Sequence, residues 1–508
     1  MIGWAWETVC GKAVMGSMKE RIFRHFIIFA LTAALILMGA APSFAEEKTF
    51  EGAGTPPETE AEAVIVMDAG SGTVLYEKDA YAKRDPASIT KILNCLVCLE
   101  NLDFSQTVTV DYQPTTEGSS MKLKEGETLV IRDIVYGMML WSGNDAAEYL
   151  GYLAGGGDMY HFCEMMNAKA RDLGALDTAY VNPNGLNNME VNNVTTAYDI
   201  AVVVKSAMKN DQFREIVGTQ KYRIPATNLS EERKVTNSNF CLWDDVAYQA
   251  AGGDEAALDQ FIEEHQKRAF NFVSEDEAEI REAARENAQK AAELMYKPCI
   301  GVKTGYSSTA GDCFAGFAQQ EDTEIIVVVL GEPHSNQKFR DAKKLWEYAY
   351  DNFKTYTAQA KEDFELEMDI KHGELREVAV GLREDFKVTV LKDENPSESV
   401  TTEIVLNEEK PEAPIEEGAV VGQLVAYDNG KEIARRDLVS LETSGEGGPL
   451  SYIGFADEDR YQFFVLLAAF LLILFLIIFR IATRKKRKAK KMARKRARQK
   501  AKQKKARH

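Results

Sequence analysis

The sequence predicts an α/β (α+β) architecture: a helical cluster around an antiparallel sheet, then a small all-β domain, then one transmembrane helix. Three observations carry this. Residues 62–353 mix short apolar, strand-like runs with amphipathic helical periods. Past 354 the helical period gives way to short alternating runs, "FKVTVL", "TTEIVL" and "GQLVAYDNGKEIARRDL". The stretch "YQFFVLLAAFLLILFLIIF", residues 461–479, holds no charge; as a helix it would span about 28 Å, close to a bilayer core.

The elements follow in order. The 17 residues before Met18 fit no targeting pattern, and Met18 suits a start. "MKERIFRHFIIFALTAALILMGAAPSFA" has a basic beginning, an apolar run and Ser43-Phe44-Ala45, so residues 1–45 read as a signal peptide cut after Ala45. Residues 46–61, "EEKTFEGAGTPPETEA", are a polar tether. "AVIVMDAGSGTVLYEKDA" reads as two strands around a Gly-Ser-Gly turn. A helix beginning at Ser88 follows, then helices over 129–152 and 158–174. "IGVKTGYSSTAGDCFAGFAQQEDTEIIVVVLGE" reads as three strands and "NQKFRDAKKLWEYAYDNF" as an amphipathic helix. Within this 62–353 body, residues 250–295 are acidic and Ala-rich. They read as an inserted helical pair with a Ser274/Glu277 capping box and a Glu286/Lys290 pair. The β-domain covers 354–440, with a hairpin signal at Asn429-Gly430. A flexible linker (441–460), the transmembrane helix (461–481) and a basic tail (482–508) complete the chain.

Charge is divided along the chain. The net charge is -18, yet Arg480 to His508 hold 17 Lys and Arg and no acid. Residues 1–45 add +2, which leaves -37 for the stretch between. So acidic a body argues against nucleic acid as its partner. The positive-inside rule puts the tail in the cytoplasm, against anionic lipid of the bilayer, and Glu46 to Arg460 outside. Of seven cysteines, Cys10 falls in the signal. Cys95 and Cys98 share a helical stripe with Ser88 and Lys91 and read as buried core thiols rather than a redox pair. Cys299 and Cys313 flank a predicted hairpin and are candidates for a cross-strand disulfide. The six histidines are scattered with no H-E-x-x-H, which argues against a zinc carboxypeptidase, and no metal or other cofactor is expected.

Three short motifs carry chemistry. In "PASITK", Ser88 and Lys91 stand at i, i+3. A serine hydroxyl needs a base beside it, and a lysine is a base only if burial and a second cation lower its pKa. A helix start also aims backbone N–H groups at the reacting centre. In "WSGNDAAEYL", Ser142 offers a second hydroxyl that relays a proton, and Asn144 an amide that holds a peptide carbonyl and steadies Lys91. Either residue also serves as an ordinary helix cap. In "GVKTGYSS", Lys303 and Thr304 suit a substrate carboxylate. Gly305 lets a ligand approach the strand, and the N–H of Tyr306 would complete an oxyanion hole with that of Ser88. Each motif alone is weak. Together, in the order S-x-x-K, S-x-N, K-T-G, they are specific.

With these motifs the sequence resembles the D-alanyl-D-alanine carboxypeptidases, the low-molecular-mass penicillin-binding proteins, over roughly residues 60–440. "MDAGSGTVLYEKDA", "MNAKARDLGALDTAYVNPNGL", "TTAYDIA" and "GVKTGYSSTAGDCF" belong to the likeness. The resemblance implies a penicillin-binding/β-lactamase-like transpeptidase fold. It implies removal of the terminal D-alanine from peptidoglycan stem pentapeptides through an acyl-enzyme, with β-lactams as acylating inhibitors. It makes Ser88 the nucleophile, Lys91 the general base and Ser142 the proton relay, while Asn144, Lys303 and Thr304 hold substrate. Asn184 receives no role. The spanning helix with its long tail and the 250–295 insertion depart from the family pattern. A D,D-endopeptidase cutting cross-links would use the same residues, and a sensor or scaffold would be acylated without turnover. A β-lactamase would need a deacylating Glu, and the segment after Asn144 has no obvious Glu-x-x-x-Asn loop.

Overall fold

The computed structural model describes residues 53–187, 192–265, 276–408 and 410–505. The expected signal peptide and the first residues of the tether lie outside them.

The body is organised by a five-stranded sheet. Strands β1 (Ala63–Asp68) and β2 (Val74–Lys78) form the opening hairpin. Its Gly-Ser-Gly turn is fixed by the Asp68 carboxylate, which accepts the N–H of Gly70 and Ser71 at 2.7 and 3.1 Å. Two small hairpins, β3 (Thr107–Thr109) with β4 (Thr128–Val130) and β5 (Lys221–Ile224) with β6 (Arg233–Thr236), stand outside the sheet. Strands β7 (Cys299–Ser307), β8 (Gly311–Gln320) and β9 (Thr323–Glu332) complete it in the order β2-β1-β9-β8-β7, with all neighbours antiparallel.

Alternation decides what packs where. Ala63, Ile65 and Met67 of β1, with Ile326, Val328 and Leu330 of β9, enter the core shared with helices Lys91–Asn101, Ile131–Leu140, Asn144–Ala154 and Ala197–Ala207. Their neighbours Val64, Val66, Ile325, Val327 and Val329 face the other way, against the Trp346 side of helix Gln337–Asn352. A strand covered on both faces reads as an unbroken apolar run, which is why "EIIVVVLGE" was legible.

Four expectations are corrected within the body. Ser88 is not in the α-helix but in a 3-10 turn, Ala87–Thr90, with the α-helix starting at Lys91. The helix expected over 129–152 is two, Ile131–Leu140 and Asn144–Ala154. The first stops because Ser142 takes the left-handed conformation, φ +61°, and Gly143 is extended at ψ 117°. The insertion is three helices, Asp245–Ala251, Glu255–His265 and Glu277–Leu294, around a core of its own that includes Ala250, Leu258, Phe261, Ala284 and Ala288. Its last helix is capped by Asp276, which accepts the N–H of Ala278; Ser274 lies outside the described residues. Glu286 and Lys290 do pair, at 3.5 Å and exposed. Finally, Cys299 and Cys313 are free thiols. The β7–β8 register sets Cys299 opposite Ala318 and Cys313 opposite Gly305, so the two sit apart along the ladder.

Beyond the body, β10 (Phe353–Gln359) pairs with β13 (Phe386–Leu391). Strands β11 (Leu366–Asp369), β12 (Glu377–Gly381), β14 (Val400–Leu406), β15 (Val420–Asp428) and β16 (Lys431–Ser440) form a sheet in the order β11-β12-β16-β15-β14. The Asn429-Gly430 turn has φ of +48° and +81°, the signs a type I′ hairpin requires. Asp68 joins body to β-domain: its Oδ2 accepts from Thr355 and Thr389 hydroxyls at 2.8 and 2.7 Å.

The segment expected as a flexible linker is instead held to the β-domain. Ser444 pairs with Ile415 and Glu446 with Gly373, and the Glu458 carboxylate accepts the N–H of Arg376 at 2.8 Å. Its glycines serve close approach: a Cβ on Gly447 would stand 2.4 Å from the Gly373 carbonyl oxygen. Helix Arg460–Lys505 follows. Phe464, Phe470 and Phe475 on it are each about 60% exposed. Among the described residues this is the one helix long and apolar enough to cross a membrane.

Candidate active site

The edge strand β7 runs beside the Ala87–Thr90 turn, and the two lie close. A Cβ on Gly305 would come within 3.2 Å of the Pro86 carbonyl and 3.3 Å of the Ser88 nitrogen. A side chain at the middle of the strand–turn contact would be tight, and glycine lets the two approach. On the other side of Ser88 stands the break between helices Ile131–Leu140 and Asn144–Ala154, which carries Ser142 and Asn144.

Lys91 is fully buried, and its amine has three neighbours. It donates to Asn144 Oδ1 at 2.8 Å and to the Asn184 carbonyl at 2.6 Å, and lies 2.9 Å from Ser88 Oγ. Burial, then the Lys303 charge, holds its pKa well below the usual lysine range; Asp145 opposes them. A neutral amine has two N–H groups and one lone pair. The two fixed oxygens take both N–H groups, which leaves the lone pair for the Ser88 hydroxyl.

Lys303 is also buried. It donates to Ser142 Oγ at 3.1 Å and to the Thr304 carbonyl at 2.8 Å. Burial, then Lys338, lowers its pKa to about 7. Thr304 Oγ1 shares a 2.6 Å hydrogen bond with Ser238 Oγ. Tyr306 follows on β7 with its side chain 68% exposed at the rim. The eight residues singled out from the sequence (Ser88, Lys91, Ser142, Asn144, Lys303, Thr304, Gly305 and Tyr306) thus converge from three segments.

Other residues hold them there and left no clear signal in the sequence. Asn144 Nδ2 donates to the Glu117 carbonyl at 2.6 Å. Asp145 accepts from Met121 N, Leu123 N and Ser120 Oγ at 2.8 to 3.0 Å, and so folds the 117–123 loop over Asn144. Asn184 contributes through its backbone oxygen, which no side-chain motif encodes. Ser238 sits in a run, "TNSNF", that reads as an ordinary turn.

Comparison with known proteins gives the family. The family described as D-alanyl-D-alanine carboxypeptidase matches residues 51–252, and the penicillin-binding protein 5 C-terminal domain matches residues 353–446. The D-alanyl-D-alanine carboxypeptidase of a Streptomyces species is 34% identical over 345 residues, 65% of this chain and 99% of the relative. The D-alanyl-D-alanine carboxypeptidase DacF of Bacillus subtilis is 23% identical over 436 residues, 84% of this chain and 96% of the relative. The solved structure of penicillin binding protein 5 from Haemophilus influenzae matches in fold with a TM-score of 0.55 at 23% identity, covering 77% of this chain and 100% of that one. The chain belongs to the D-alanyl-D-alanine carboxypeptidase family of serine peptidases.

Proposed function

We propose that the chain is a membrane-anchored serine D,D-carboxypeptidase that removes the terminal D-alanine from peptidoglycan stem pentapeptides. The observation that carries the reading is the Lys91 amine, whose two fixed oxygen partners leave its lone pair for Ser88. Ser88 Oγ attacks the carbonyl of the last peptide bond and passes its proton to Lys91. The N–H groups of Ser88 and Tyr306 receive the oxyanion. Ser142 relays the proton to the departing amine, which leaves as D-alanine, and water then hydrolyses the acyl-enzyme. Lys303 and Thr304 hold the terminal carboxylate, and Asn144 the peptide carbonyl. A β-lactam ring presents the same carbonyl and carboxylate and acylates Ser88.

In this reading residues 1–45 are a signal peptide and 62–353 form the catalytic domain outside the cell. The β-domain (354–440) stands between it and a bilayer-spanning helix, 461–481. The tail 482–508 lies in the cytoplasm against anionic lipid.

The test uses the full chain in detergent with a pentapeptide ending in D-Ala-D-Ala, following free D-alanine. Many turnovers, absent in Ser88→Ala, support the reading. Penicillin labelling at Ser88 without D-alanine release would replace it with a D,D-endopeptidase or a non-turnover sensor.

A further inference from the structure

Asp85 is three residues before Ser88 and takes no part in the chemistry above, yet its carboxylate meets the Ser88 turn, the loop that carries Asn184 and the end of β7. Oδ1 accepts the N–H of Ala87 at 2.8 Å. Oδ2 accepts from Asn187 Nδ2, from Thr309 Oγ1 at 2.8 Å and from Ser307 Oγ at 3.2 Å. Asn187 Nδ2 reaches Thr309 Oγ1 as well, at 3.1 Å. One donor falls on Oδ1 and three converge on Oδ2.

The four donors belong to three working parts. Ala87 precedes the nucleophile and has φ +44°, a conformation unfavourable for alanine that something must hold. Asn187 lies three residues after Asn184, whose carbonyl fixes the Lys91 amine. Ser307 and Thr309 follow directly on Lys303, Thr304, Gly305 and Tyr306. One carboxylate therefore sets the distances among hydroxyl, amine and carboxylate-binding strand.

We propose that Asp85 is a positioning residue for acylation: through Ala87, Asn187 and Thr309 it holds Ser88 in register with Lys91 and with the β7 strand. The proposal rests on Ser88 being the nucleophile. Charge-assisted hydrogen bonds of this kind are short and directional, and displacing a reacting group by about 1 Å costs on the order of 100-fold in rate.

The experiment measures acylation by a fluorescent penicillin and D-alanine release for the full chain in detergent, with melting temperature alongside. Wild-type labelling that Ser88→Ala abolishes establishes the nucleophile independently. If wild-type protein is not labelled, that reading has failed, and this proposal falls with it. Asp85→Asn keeps the acceptor for Ala87 but turns an N–H₂ toward Asn187. Acylation and kcat are expected to fall about 10- to 100-fold with KM and melting temperature little changed. Thr309→Val, which leaves Asp85 intact, is expected to give a smaller loss of the same kind. In the double variant Asp85→Asn/Asn187→Asp the amide and carboxylate exchange places, and much of the rate should return. Wild-type acylation in Asp85→Asn, or a loss that follows only the folded fraction, overturns the proposal, as does an exchanged pair no faster than Asp85→Asn.

Discussion

Gly185 lies against Ala87: a Cβ at Gly185 would stand 1.8 Å from the Ala87 carbonyl oxygen, and Gly185 has φ +85°. Neither the 182–187 loop nor the Ser88 turn can shift without losing a Lys91 contact. Gly185→Ala is therefore expected to lose about 3 kcal/mol or more of stability and nearly all penicillin labelling. Thermal melting and labelling of the folded fraction check the two effects separately.

Lys303 gives a pH prediction. A carboxylate is held by the ammonium form, and in the free enzyme Lys303 sheds its proton at about 7. As pH rises through that value, kcat/KM should fall, mainly through KM. Arginine stays charged at any such pH. Lys303→Arg should therefore have a lower maximum, since the fit to Ser142 is lost, but no such alkaline fall. The kcat/KM profile from about pH 6 to 9 decides it.

Glu332 is wholly buried, and among the described residues neither carboxylate oxygen has a hydrogen-bond partner. Burial first, then the Asp341 and Glu60 charges, raises its pKa to about 7. Below the unfolded value of 4.5, both states hold the proton and there is no effect. Between there and about 7 the unfolded state ionises more readily, so stability falls as pH rises; above, the penalty is constant. Glu332→Gln should melt like wild type near pH 4.5 and be more stable by about 1–3 kcal/mol above pH 7. Paired melting curves across that range give the difference.

The insertion should be removable. Its ends meet, with Tyr296 N donating to the Cys241 carbonyl at 2.9 Å, and most of its apolar side chains pack on one another. Replacing 245–292 with a short Gly/Ser turn is expected to leave a folded protein labelled by penicillin within about threefold of wild type. D-alanine release from soluble pentapeptide compared with polymerised wall then reads out what the insertion does to substrate choice.

The sequence was most informative where chemistry is written locally. Ser88 and Lys91 meet because they are three residues apart, and β9 was legible because both its faces are apolar. It was silent where the contact is backbone or long-range. The Asn184 carbonyl has no side-chain signature, and the Asp145 loop contacts span more than 20 residues. The left-handed Ser142 was missed because Leu-Trp-Ser continues a helical pattern. The Cys299–Cys313 expectation failed because proximity to a hairpin does not fix register. The Gly-rich 441–460 segment misled because glycine serves close packing as readily as freedom.

That segment governs reach. Chain pairing continues to Glu446, a 3-10 turn occupies Asp457–Asp459, and the long apolar helix starts at Arg460. In the anchored enzyme proposed above there is almost no slack between β-domain and bilayer. Such an enzyme stands on a post rather than swinging on a leash. A long flexible tether lets a site sweep a volume and dilutes it over that volume. A post concentrates it in one thin layer of wall, so lengthening the 441–460 segment would change which stem peptides are trimmed without touching any residue that trims them.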